Sequence, residues 1–171
     1  MARILVAYAS WAGSTKEIAA TVGKELDAAG HAADVREMGE VTGLSGYNAV
    51  VIGAPMYMGR MVGTKKFVRR HRAILETMPI AGFAVCLAAA GNDPSAIELM
   101  HKTLKNSLAP LNPVAVTLFA GKLDPARLSW FQRWIVHRVK APVGDFRDWM
   151  AISIWARGLP DLMLLVRNNP N

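Results

Sequence analysis

Apolar residues follow two rhythms along this chain. Short unbroken runs, such as Ile4-Leu5-Val6-Ala7-Tyr8 and Ala49-Val50-Val51-Ile52, alternate with stretches in which apolar side chains return every three or four positions. The first rhythm belongs to strands covered on both faces and the second to amphipathic helices. Strands are therefore predicted at 3–8, 32–36, 48–53, 82–87 and 114–120. The first helix is predicted at 14–29, with Ile18, Val22 and Leu26 inward and Gly30 ending it. A second helix is marked by Phe67, His71, Ile74, Leu75 and Met78, with basic residues on its other face. A third is predicted at 94–104 and a last one at 145–157.

Strand and helix alternating in this way predict an α/β fold, a doubly wound five-stranded parallel sheet with helices on both faces. The domain is expected to span 1–158. Within it, 122–144 reads as a less regular insertion, and 159–171 as a C-terminal tail. In the insertion Leu128, Phe131, Ile135 and Val139 share a helical face beside Trp130 and Trp134, among Arg127, Arg133, His137, Arg138 and Lys140. Three readings of it stand: a cover for the core, a peripheral contact with an anionic membrane, or a subunit contact in a homo-oligomer.

Composition narrows the picture. Of the 171 residues 52% are hydrophobic and 19% charged, which excludes a chain too polar to offset its ordering entropy. A single cysteine, Cys86, excludes an intrachain disulfide framework and a cysteine-based metal site. It lies in a predicted strand and reads as a small buried hydrophobe. Lys plus Arg number 20 against 13 Asp plus Glu, a formal charge of +7 and a pI near 9.9, which favours anionic partners. No recognition motif accompanies that charge, so no nucleic acid is expected. His31, His71, His101 and His137 lack metal-ligand spacing, and no metal is expected. The start is not a signal peptide, and no apolar stretch approaches the ~18 residues of a membrane span. A cytoplasmic protein is expected, with peripheral contact at the inner face of the membrane left open.

In doubly wound sheets, ligands bind beyond the carboxyl ends of the strands where strand order reverses. Three loops qualify. Ser10-Trp11-Ala12-Gly13-Ser14-Thr15 is rich in hydroxyls and opens into a helix, so backbone N–H groups and side-chain hydroxyls there suit a phosphate. A plain helix cap is the competing reading. The loop has neither the lysine of a Walker A motif nor the three glycines of a dinucleotide fingerprint. Pro55-Met56-Tyr57-Met58-Gly59-Arg60 is apolar and aromatic, suited to a flat ring or to a buried turn. Ala88-Ala89-Ala90-Gly91-Asn92-Asp93 lets backbone approach a ligand closely.

Together these loops resemble the flavodoxin-like superfamily, whose phosphate turn Ser/Thr-x-x-Gly-x-Thr is met by Ser10, Gly13 and Thr15. Within it, the chain is most similar to the menaquinone-dependent protoporphyrinogen IX dehydrogenases. That similarity rests on Ile4 to Ser10, Val51-Ile52-Gly53-Ala54, the helix Lys65 to His71, Phe119-Ala120-Gly121-Lys122-Leu123 and the basic aromatic insertion.

The resemblance implies one noncovalent FMN. Its phosphate would lie on Ser10, Gly13, Ser14 and Thr15 with the backbone of Trp11 and Ala12. Its ring would lie between Pro55, Met56, Tyr57, Met58 and Gly59 on one side and Ala89, Ala90, Gly91, Asn92 and Asp93 on the other. Met58 stands where the family carries an aromatic, and the third loop has none. The resemblance further implies a small reduced substrate, a porphyrinogen, and a quinone as partners, with Arg60, Arg127, Arg133, Arg138 and Lys140 as candidate anchors for its carboxylates. No catalytic acid–base residue stands out. Two alternatives remain: a flavodoxin-type electron carrier, disfavoured by the +7 charge, and a flavin-free interaction module on the same fold.

Overall fold

The structure is a computed structural model that describes residues 1–91, 93–123, 134 and 143–168, the last five of these by their backbone. Five parallel strands, β1 (Arg3–Tyr8), β2 (Ala32–Glu37), β3 (Ala49–Tyr57), β5 (Ile80–Val85) and β6 (Ala115–Phe119), lie in the order β2-β1-β3-β5-β6. This is a doubly wound order in which the winding reverses between β1 and β3. The chain leaves β1 toward one edge, returns to β3 on its other side, and then continues outward. The two short strands β4 (Arg60–Met61) and β7 (Lys122–Leu123) pair antiparallel with β3 and β8 (Gly144–Asp145) respectively.

Period-two alternation in β1 explains why its run is apolar without interruption. Ile4, Val6 and Tyr8 point into a core under α1 (Ser14–Ala28) and the last helix, α4 (Trp149–Asn168). Leu5 and Ala7 point into a second core under α2 (Thr64–Leu75) and α3 (Pro94–Leu108). Both faces are covered, so neither admits a polar residue. Close packing also requires glycine at position 53, where an added Cβ would lie 2.0 Å from Cζ of its cross-strand partner Phe83.

Several boundaries depart from the pattern-based expectation. β3 runs past Gly53 to Tyr57, because Ala54 and Pro55 still pair with Ala84 and Val85. β5 begins two residues early, in register with Val50 and Val51, and Cys86 and Leu87 lie beyond its end. α3 continues four residues beyond 104, since Leu108 is buried with Leu104 against the side chainless Gly82. The last helix does not start at Asp145, which belongs to β8. Asp148 caps it instead, its carboxylate accepting the Ala151 N–H at 2.9 Å. That helix then passes through Pro160 to Asn168, so position 158 falls inside it. Pro160 removes one helical hydrogen bond, a loss of about 3 kcal/mol. Ile152, Ala156, Leu159 and Met163 form its buried stripe. Burial of Leu159 and Met163, each contributing roughly 1.5–3 kcal/mol, offsets that loss.

Candidate functional site

Every candidate loop leaves the carboxyl edge of the sheet at adjacent strands, β1, β3 and β5. In the first, Ser10 Oγ accepts the Gly13 N–H at 3.1 Å, curling the chain before α1. Gly13 holds φ +88°, a left-handed conformation that glycine reaches without the Cβ penalty. No side chain caps α1. Its first-turn N–H groups therefore have no partner within the helix, and they converge at the positive end of the helix dipole. Ser14 and Thr15 are buried at this end. Ser14 Oγ also accepts the Lys122 N–H at 3.0 Å, which joins the loop to β7.

Pro55, Met56, Tyr57, Met58 and Gly59 do not form an open loop. They are the end of β3 and the turn of a hairpin, with Tyr57 opposite Arg60 and Met56 opposite Met61. Met58 and Gly59 both have positive φ, +46° and +72°, as a two-residue type I′ turn requires. The Met58 side chain projects into solvent, 78% exposed. Tyr57 meets Trp11 of the first loop edge to face, ring centroids 4.9 Å apart. Sequence reasoning used only the backbone of Trp11. The contact forms because β1 and β3 are neighbours, a fact no local pattern contains. The pair walls a cavity of about 480 Å³ that extends to Met58, Lys65 and Lys66.

At the third loop Leu87–Ala90 forms a 3₁₀ turn, bringing Ala89 and Ala90 to the same edge with Gly91 following. Asp93 has a defined structural part: its carboxylate accepts the Ser95 N–H at 3.0 Å and caps α3. Burial pushes the Cys86 thiol above its ordinary range, which keeps it protonated and unreactive. Asn92, Arg127, Arg133, Arg138 and Lys140 lie outside the described residues. Arg60 is exposed on the hairpin.

The ends of the 122–144 insertion are fastened beside the first candidate loop. Arg147, its side chain only 5% exposed, bonds Asp145 through Nε at 2.8 Å and reaches Glu17 of α1 through Nη1. Its guanidinium also lies 4.5 Å over the Trp149 ring. Arg147 holds the Asp145 carboxyl down at about 2. With Lys122 on Ser14, these contacts make the insertion start and finish at the N-terminus of α1. Neither Glu17 nor Arg147 was singled out from sequence, because 130 positions separate them.

Among the described residues no cluster of His, Cys, Asp and Glu could hold a metal ion. Among them, too, no helix is long and apolar enough to cross a membrane. What the edge offers is an uncapped helix N-terminus with adjacent hydroxyls, an aromatic wall and a backbone-lined turn. That donor set fits the phosphate and flat ring of a flavin mononucleotide.

Comparison with known proteins points the same way. The family profile described as Flavodoxin domain matches residues 5–148. The protoporphyrinogen IX dehydrogenase [quinone] of Escherichia coli (strain K12) is 27% identical over 175 aligned positions, covering 94% of this chain and 96% of that protein. Among solved structures, the flavodoxin of Streptococcus pneumonia TIGR4 superposes with a TM-score of 0.54 at 13% identity, over 94% of this chain and 99% of that one. The rubredoxin oxygen:oxidoreductase of Desulfovibrio gigas gives 0.58 at 11% identity, over 95% of this chain and 36% of that one.

Proposed function

The chain belongs to the flavodoxin domain family, its cofactor is FMN, and from that premise we propose that it is an oxidoreductase of the protoporphyrinogen IX dehydrogenase type. The observation carrying this reading is the reach of the similarity to the Escherichia coli enzyme, which spans nearly the full length of both chains and so takes in the insertion. An electron carrier has no need of a basic, aromatic insertion whose described ends are fastened beside the candidate phosphate loop. The net charge of +7 also suits a carboxylated substrate.

In the proposed reaction a porphyrinogen loses hydrogen atoms in pairs, and each pair reduces one quinone to its quinol. FMN, when bound, supplies the ring that passes electrons between the two. The chain's part is to hold and orient. The α1 N-terminus, with Ser10, Gly13, Ser14 and Thr15 and the backbone of Trp11 and Ala12, grips the phosphate. Pro55 to Gly59 and Ala89 to Asp93 flank the ring, and the Trp11–Tyr57 pair shields it from water on one side. Arg60, exposed on the hairpin beside this edge, anchors a substrate carboxylate. The insertion's Trp and basic residues bring the site against an anionic bilayer, the source of a lipid-soluble quinone.

The test is anaerobic: FMN-loaded protein, protoporphyrinogen IX and a quinone, followed by porphyrin fluorescence. Quinone-dependent growth of fluorescence well above the protein-free rate is expected. A rate equal to that of free FMN overturns the activity, and a protein that retains no flavin after gel filtration overturns the site.

A further inference from the structure

Helix α2 carries five basic residues and no acid. Lys65, Arg69 and Arg72 recur at intervals of four and three, which places them one above another on a single stripe of the helix. The stripe is exposed, and a second element stands opposite it. The stripe forms one wall of a trench of about 590 Å³ whose far wall is α3, at Thr103, Asn106 and Ser107, and whose end is closed by Arg60 of the hairpin. The hairpin is tied to α3 there, the Met61 N–H donating to Ser107 Oγ at 3.3 Å.

Among the described residues, no carboxylate lines this trench. Among the described residues, Arg60, Lys65 and Arg69 have no ion-pair partner, and Arg72 pairs with Glu76 at 2.7 Å, one turn further along the helix. Cations crowded along one wall repel one another, and the fold compensates that repulsion only at Arg72. An anion entering the trench relieves it. The volume, between two helices and open on one side, is that of a small-molecule site.

The trench is continuous with the candidate cofactor edge. Its Arg60, Met61 and Lys65 also line the 480 Å³ cavity walled by Trp11 and Tyr57. One amphiphilic molecule can therefore rest an apolar ring system on Trp11, Tyr57 and Met58 while its anionic arms run between α2 and α3. We propose that Lys65, Arg69 and Arg72, together with Arg60, form the subsite that binds the carboxylate arms of the substrate. This rests on the function proposed above, whose substrate class is a macrocycle bearing two carboxylates. Successive cations one helical turn apart, about 5.4 Å, let the two carboxylates each meet a separate partner.

The experiment uses FMN-loaded protein and two unreactive probes, protoporphyrin IX and its dimethyl ester, titrated by tryptophan quenching. The diacid is expected to bind about tenfold or more tighter than the ester. Arg69→Gln and Lys65→Gln each weaken the diacid about tenfold and leave the ester and the flavin spectrum unchanged, while Arg69→Lys restores most of the loss. Arg70→Gln, on the same helix and outside the trench, leaves the diacid alone. In turnover the trench variants raise KM with kcat nearly constant, the signature of an interaction equal in ground and transition states. Equal binding of diacid and ester, undiminished binding in Arg69→Gln and Lys65→Gln, or an equal loss in Arg70→Gln overturns the proposal. Because binding is read without turnover, a protein that shows the diacid preference yet oxidises no porphyrinogen overturns the activity and leaves the subsite standing.

Discussion

Two residues show how a single position constrains this fold. Gly53 is covered by the ring of Phe83, and a Cβ there would sit 2.0 Å from that ring. Gly53→Ala is expected to destabilise the protein by about 3 kcal/mol, the upper end for overpacking a filled core, read as a lowered urea midpoint at unchanged slope. His71 is the second. It is buried on α2 beside Phe67, and its Nε2 has no partner. Burial, then the Arg70 charge, holds its pKa below the ordinary value of 6.5. The neutral form is thus favoured in the folded state. On acidification below about 6.5 the unfolded chain takes up the proton first, so stability is lost as pH falls. His71→Gln is expected to flatten the fall in melting temperature between pH 7 and pH 5.

Elements carry the next set of consequences. The hairpin turn places Met58 at φ +46°, a conformation costing a side chain other than glycine about 1–2 kcal/mol. Asparagine tolerates it, and Asn-Gly is the favoured type I′ pair. Met58→Asn should stabilise the protein by about 0.5–1 kcal/mol, visible in thermal unfolding. Helix α4 reaches past Pro160, and Leu159 and Met163 are buried in the core beneath it. Removal of residues 159–171 should therefore lower stability by roughly 3–6 kcal/mol, a loss measurable by denaturant titration. A boundary at 158 is what the local code suggests, since proline ordinarily stops a helix. Here packing against α1 overrides that local preference.

At the scale of the whole molecule, the candidate cofactor site lies where three loops from three strands meet, and none of them forms it alone. Ligand binding to the folded state alone raises its stability by about 2.7 kcal/mol at a hundredfold excess over Kd. For a domain of this size, that shift amounts to roughly 5–10 °C. FMN should raise the melting temperature by this amount, and riboflavin, which lacks the phosphate, should raise it much less. Equal shifts would show that the N-terminus of α1 contributes little to the grip. The same scale governs charge: α2 is basic throughout its outer face, yet only where α3 and the hairpin stand opposite does that charge line a trench.

How much was legible beforehand follows from how local each signal is. Unbroken apolar runs are a property of a few adjacent residues covered on two faces. From them the sequence determined the five parallel strands and the doubly wound class, and the turn at Ser10 to Thr15 carried the resemblance to the family. Residues close in the fold and distant along the chain left no such trace. The tertiary structure alone decided that Trp11 meets Tyr57, that Ser14 is bound by Lys122, that Arg147 reaches Glu17, and that Lys65, Arg69 and Arg72 face α3. It also decided where strands and helices end, because an end is set by the last neighbour available to pair or pack. Periodicity records which face of an element is buried; only the assembled layers determine what that face is buried against.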